Sequence, residues 1–271
     1  INFNLLKIKD LDCSKQSFSL PNLTLPSHEE AAIRQQMQTG QFGKDSTSFR
    51  VLARNAGRWP NAVLVCDLTS SMYPYSTQLF AWLRQHTQHP VVKGTLFFTD
   101  CDSLGHETTP QGPAGRMFAT RERTPERVLP LMLAAARNTL GNQQDAENDI
   151  EALIEAQRRF PEAKNLVLIA DNSSRVKDLH RLAEVRLPVR VILCGSPWDT
   201  TQAFQPDFFE IATRTRGSLH TLEDDFNPTR LSHRDWVKVG PRYYWYHARK
   251  QRFVVSRFRQ QPKRFLGLFW L

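Results

Sequence analysis

Val63-Leu64-Val65-Cys66-Asp67-Leu68-Thr69-Ser70-Ser71-Met72 decides the fold. Four apolar residues run without alternation into an aspartate, with hydroxyl side chains at +2 and +4. A short, β-rich, unalternated run reads as a strand buried on both faces. Asp67 then lies at the strand's carboxyl end, where open α/β sheets place their ligands. One carboxylate and two hydroxyls on one turn are hard oxygen donors, the kind that hold Mg²⁺.

Outward from this stretch a rhythm appears. Strand-like runs are expected at 62–66, 94–99, 166–170 and 189–194, with a last short strand at 218–222. Helix-like runs fall at 76–88, 125–138, 148–159 and 176–185, and another ends near Gly217. Strands alternating with helices of this length indicate βαβ units. The expectation is an α/β fold: a doubly wound, mostly parallel open sheet of about six strands with helices on both faces. Residues 1–57 read as an N-terminal extension that packs on the main domain, with a short helix at 29–38. Residues 58–228 form the main domain. Residues 229–271 read as a basic, aromatic β-hairpin or three-strand ribbon. Its simplest form has aromatics on the packed face and Lys/Arg on the open one.

The 271 residues carry a formal charge of +9, unevenly spread. From Arg230 onward there are 11 Lys/Arg and one acid, leaving 25 bases against 26 acids before it. The main domain is therefore near neutral, which argues against a nucleic-acid-binding core. No apolar run approaches the roughly 20 residues of a membrane span. The four cysteines form no C-x-x-C pair, so zinc and thioredoxin-type readings lack support. Cys66 and Cys194 read as buried small hydrophobes, with a disulfide between neighbouring strands as the alternative. Neither G-x-S-x-G nor G-x-x-x-x-G-K-[ST] is present, so serine hydrolase and P-loop readings lack their motifs.

A second strand, Leu166-Val167-Leu168-Ile169-Ala170-Asp171-Asn172, repeats the first arrangement. Two strands flanking the switch point bring Asp67 and Asp171 to one rim. Paired carboxylates in an apolar crevice repel unless a proton or cation intervenes, and a divalent ion beside Thr69 and Ser71 is the simpler solution. The loop 139–148 leads into an acidic helix start at Asp149 and can supply a further oxygen from the same rim.

D-x-T-x-S at 67–71, D-A-E-N before a helix at 145–148 and L-I-A-D at 168–171 resemble the metal-ion-dependent adhesion site (MIDAS) of the von Willebrand factor A (vWA) family. The likeness covers about residues 60–225. Pro74-Tyr75, 168–172 and Asp178-Leu179 look like a bacterial branch of it. The resemblance implies metal contacts from Asp67, Thr69, Ser71 and Asp171, with Thr139 or Asp145 as the middle-loop ligand. Ser70, Asn142 and Asn172 would border the partner-binding rim. The middle loop departs from the family pattern, with Asn142, Gln143 and Gln144 in place of glycines. The implied function is a non-enzymatic binding module. Its Mg²⁺ (or Mn²⁺ or Ca²⁺) would coordinate an Asp or Glu of a partner protein, with no nucleic acid involved. The alternatives are an assembly protein with a degenerate ion site, or a haloacid-dehalogenase-like phosphatase. The last usually carries D-x-D, and Thr69 at +2 is a poor proton donor. Asp178 reads as a residue of a helix surface or cap, and Asp100 and Asp102 as solvated loop acids, with a place at the border of the binding face as the alternative.

Overall fold

The computed structural model describes residues 39, 41–42, 45–69, 72–86, 92–99, 117–136, 146–172, 175–195, 205–239, 242–250, 252–255, 264–265 and 269–270. The first strand, β1 (Ala62–Asp67), is buried along its whole length, as is β5 (Asn165–Asp171). Both are central strands, and a run with no polar face fits nowhere else in a sheet. Around them lie β2 (Val92–Phe98), β3 (Phe118–Thr120), β7 (Val189–Cys194), β8 (Ser218–His220) and β9 (Asp225–Phe226). The order is β3-β2-β1-β5-β7-β8-β9. Neighbours from β2 to β8 pair parallel, while β3 and β9 pair antiparallel at the two edges. Among the described residues the sheet therefore has seven strands rather than about six, because two short antiparallel strands lie at its edges. The chain moves outward from β1 in both directions, so the switch point lies between β1 and β5.

Helices cover both faces. On one side α1 (Thr47–Asn55), α2 (Tyr73–Gln85) and α3 (Pro125–Ala136) bury Leu52, Leu79, Phe80, Trp82 and Val128 against Leu64, Val167 and Ile192. On the other, α4 (Asp149–Arg159) and α5 (Pro206–Arg214) bury Leu153, Phe208 and Ile211 against Val63, Leu168 and Val191. Full burial of each such side chain stabilises by roughly 1.5–3 kcal/mol, which is what closes the three layers. Part of the expected N-terminal extension is thus a core element, since Val51 and Leu52 of α1 are fully buried. The expected helix at 29–38 lies outside the described residues.

The run 176–185 differs from the expected helix. Arg175–Val176 (β6) pairs with Ala146–Glu147 (β4), and only Leu179–Glu184 coils, as a 3₁₀ helix. Asp178 acts as a cap for another helix: its carboxylate accepts from Ile150 N at 3.1 Å and Glu151 N at 2.6 Å. Those are orphan amides of the first turn of α4. Burial raises the Asp178 pKa, against the opposing pull of these two amides.

The C-terminal segment is a three-stranded antiparallel sheet of β10 (Trp236–Val239), β11 (Arg242–His247) and β12 (Arg252–Val255). Val237, Val239, Tyr244 and Tyr246 join the core on the α4–α5 side, with Tyr246 and Phe253 ringed around Phe209. The aromatics do not segregate to the packed face. Trp236 pairs with Trp245 and Lys238 with Tyr243 on the other face, because aromatics fill alternate positions of β11 in both registers. Arg264–Phe265 (β13) and Phe269–Trp270 (β14) pair with each other. No helix among the described residues is long and apolar enough to cross a membrane.

Candidate functional site at the carboxyl edge of the sheet

β1 and β5 run parallel with Cys66 opposite Ile169. Asp67 is the next residue on one strand, and Asp171 lies two residues on along the other. Both strands end at the same edge, on neighbouring ladders about 4.8 Å apart. Asp67 is 1% exposed and Asp171 2%. Burying a carboxylate is costly unless donors or cations compensate it. Thr69 supplies part of that compensation: its N–H donates to Asp67 Oδ1 at 2.7 Å and its hydroxyl to Oδ2 at 2.9 Å. The turn continues with Met72 N donating to Thr69 O at 2.9 Å, which leads into α2. The D-x-T spacing therefore folds the threonine hydroxyl back onto the aspartate.

Asn172, expected to border the partner-binding rim, is engaged in the scaffold. Its N–H donates to Cys194 O and its Oδ1 accepts from Gln205 N at 2.9 Å. It thereby ties the end of β5 to β7 and to the start of α5. Ser70, Ser71, Thr139, Asn142 and Asp145 lie outside the described residues, as do Asp100 and Asp102. Among the described residues, Asp67, Thr69 and Asp171 come to one rim.

A third carboxylate approaches from an unexpected direction. Asp45 precedes α1 and caps it, accepting from Thr47 N at 3.1 Å and Thr47 Oγ1 at 2.6 Å. Its other oxygen accepts from the Tyr75 hydroxyl at 2.7 Å, and the Gly195 carbonyl lies beside the same hydroxyl. Tyr75 stands in the first turn of α2, Gly195 just past β7. This one phenol thus links α1, α2 and the end of β7. Burial raises the Cys194 pKa well above the usual thiol range; a hydrogen bond with Ser48 opposes this, and Asp45, Asp171 and Asp67 push it further up. Burial raises Tyr75 likewise, reinforced by Cys194, Asp45 and Asp171. Three carboxylates therefore impose a negative field on the rim. Sequence signals for Asp45 were confined to its capping pattern before Thr47, since its contacts with Tyr75 and the strand end are long-range.

Cys66 and Cys194 are free and buried. They stand on β1 and β7, with β5 between them, so the alternative of a neighbouring-strand disulfide is overturned for this pair.

Two carboxylates and a hydroxyl converging on one edge are chemically suited to a hard divalent cation. Among the described residues no three His, Cys, Asp or Glu side chains group closely enough to chelate an ion by themselves. An ion at this edge would therefore need hydroxyl oxygens beside the carboxylates.

A separate polar group lies on the far flank of the same sheet. Ser218 Oγ is 2.6 Å from His220 Nε2, and His220 Nδ1 is 2.7 Å from Asp225 Oδ1. Asp225 also accepts from Arg54 Nη2 at 2.8 Å and Asn55 Nδ2 at 2.9 Å. The Trp59 ring meets the His220 ring edge-on, with centroids 4.8 Å apart. The sequence offered one faint signal for this group, Ser218 and His220 two apart on a strand and so on one face.

No protein-family model, curated protein or solved structure matches the chain.

Proposed function

We propose that the rim of Asp67, Thr69 and Asp171 binds a divalent cation, Mg²⁺ or Mn²⁺, and that the protein uses it to take up an acidic side chain of a partner protein. The observation carrying this reading is the placement of two buried carboxylates at the carboxyl ends of adjacent strands, astride the switch point. The D-x-T-x-S motif and its likeness to the vWA adhesion site support the same reading. Asp67 and Asp171 would supply the charge, with Thr69 and the undescribed Ser71 adding hydroxyl oxygens, and Thr139 or Asp145 the middle-loop contact. Bound there, the cation supplies an incompletely neutralised charge with an open position for a carboxylate oxygen. Thr69 fixes the Asp67 carboxylate through two hydrogen bonds, so the donor atoms are ordered in advance.

A binding role accords with the +2 position. A phosphatase of the D-x-D type needs a second acid there, and Thr69 gives its proton to Asp67 instead. Titration of the full chain with Mn²⁺, followed calorimetrically, tests the reading. One site is expected, lost in Asp67→Ala and in Asp171→Ala while both variants stay folded. Absence of binding at millimolar Mn²⁺ and Mg²⁺ would overturn the ion and leave an assembly protein with a degenerate site.

A further inference from the structure

The second polar group stands apart from the cation rim, toward the amino-terminal half of β7, where Arg190 pairs with Ser218 and Ile192 with His220. Its proton positions follow from the carboxylate end. An ionised Asp225 can only accept, so the proton of the neutral His220 ring is on Nδ1 and donates to Asp225 Oδ1. Nε2 is then the acceptor, and the Ser218 hydroxyl donates to it. The Ser218 oxygen keeps lone pairs free to accept from Arg190 Nη1 at 3.3 Å. The polarity runs from serine to imidazole to carboxylate without conflict, which is the arrangement that activates a serine hydroxyl.

Every member is also held from behind. Asp225 is fixed by Arg54 and Asn55, His220 by Trp59, and Arg190 by Asn165 Oδ1 at 3.1 Å from its Nε. Asn165 is in turn anchored to Pro60 O. Burial lowers the His220 pKa despite the Asp225 hydrogen bond, which keeps the ring neutral and able to accept a proton. Burial also lowers the Arg190 pKa, a sign of a poorly solvated guanidinium whose field acts strongly nearby. Ser218 is half-buried and so keeps a solvent-facing part, whereas His220 is covered. A clasp that merely joined β8 to β9 would be complete with His220 and Asp225. The serine and the arginine are additional.

We propose that Ser218 is a nucleophile that accepts acyl groups from small esters, with His220 as its base, Asp225 as the orienting carboxylate and Arg190 as the cation facing the reacting oxygen. Ser218 Oγ bonds to the ester carbonyl carbon while its proton passes to His220 Nε2. Negative charge develops on the former carbonyl oxygen beside Arg190. The bond to the ester's alcohol oxygen then breaks, and the alcohol leaves with the proton from Nε2. Water attacks the acyl-serine by the same two transfers, returning the acid and the free hydroxyl. Carbon, oxygen and protons balance, and no oxidant or metal is needed.

The test uses the full chain and a small fluorophosphonate, diisopropyl fluorophosphate, with intact mass and peptide mapping as readouts. A single adduct on Ser218 is expected, absent in Ser218→Ala. Its rate should fall about 10²–10⁴-fold in His220→Gln, the span of a lost general base. 4-Nitrophenyl acetate hydrolysis should fall in parallel and be indifferent to EDTA, which separates this site from the cation rim. His220→Gln removes a buried contact, so circular dichroism accompanies it. Ser218→Cys, labelled with iodoacetamide, gives a second measure: its rate should exceed that of Ser218→Cys/His220→Gln. A folded wild type that takes no adduct, or an adduct retained in Ser218→Ala, would overturn the proposal.

Discussion

The two polar groups of this sheet hold their carboxylates in different ways. On the flank, Asp225 is met by a guanidinium, an amide and an imidazole. Burial alone would raise its pKa, yet the hydrogen bonds from His220, Arg54 and Asn55 outweigh that and hold the carboxyl below the usual range. At the carboxyl edge, the ionic groups acting on Cys194 are the carboxylates Asp45, Asp171 and Asp67. The flank carboxylate is met by a cation, a ring N–H and an amide, whereas at the edge the hydroxyls and amides of Thr69 and Thr47 and the Tyr75 phenol, all neutral, donate to Asp67 and Asp45. On the proposed function, a cation from solution would add the opposite charge at that edge.

The sharpest way to break this contrast is to remove the central carboxylate of each group. Asp225→Ala strips a partner from Arg54, Asn55 and His220 together and should cost about 2 kcal/mol, less than a fully buried ion pair because solvent reaches Asp225 and Arg54. A shift of the urea midpoint at constant m-value measures it. Asp171→Asn, which keeps the shape of the side chain and changes only its charge, should cost less than Asp225→Ala in the absence of divalent ions. Equal losses in the two variants would mean that both clusters are compensated internally.

Adding the ion should reverse the ranking. At a Mg²⁺ concentration about 100 times its dissociation constant, the wild type should gain about 2.7 kcal/mol. Asp67→Asn and Asp171→Asn should gain nothing, while Asp225→Asn should gain as much as the wild type. Thermal unfolding with Mg²⁺ and with EDTA reads all four. A gain retained in Asp67→Asn would move the ion elsewhere.

The same contrast governs what the sequence disclosed. β1 and β5 were legible because five-residue apolar runs ending in aspartate, 62–66 and 166–170, have no other place in an α/β sheet. Their order then put Asp67 and Asp171 together without any side-chain detail. The flank was not legible, because Ser218 and His220 meet Asp225 only when β9 folds back and places His220 opposite Asp225. Arg54 and Asn55 arrive from more than 160 residues away in sequence. Nor was α1: it offers only Val51 and Leu52 as its buried aliphatic pair, and its remaining buried positions are Thr47, Ser48 and Asn55. Polar residues on a packed face defeat any reading by hydrophobic period.

Acid should test the flank selectively. His220 has a folded pKa below its unfolded value, so the unfolded chain binds the proton more readily. The contribution is complete above about pH 6.5, the ordinary histidine value, and is lost as pH falls from there through the lowered folded value. Each unit of lowering corresponds to about 1.4 kcal/mol. Wild-type stability measured from pH 7.5 to 5 should therefore fall more steeply than that of His220→Gln. Parallel curves would show that this imidazole is not shielded from protonation in the fold.

The smallest effect belongs to the strut that joins α1 to the carboxylate rim. Tyr75→Phe keeps the ring, which is 4% exposed, and deletes only the hydroxyl between Asp45 and Gly195. Loss of that link should cost about 1 kcal/mol, the net worth of an ordinary hydrogen bond, with some added cost for leaving buried acceptors unmet. If Asp45 belongs functionally with the rim, the variant should also weaken Mn²⁺ binding by a few fold, because Asp45 would then be free to move relative to Asp171. If it belongs only to the α1 cap, stability drops and the Mn²⁺ isotherm is unchanged. The two measurements together decide whether the carboxylate cluster at this edge has two members that matter or three.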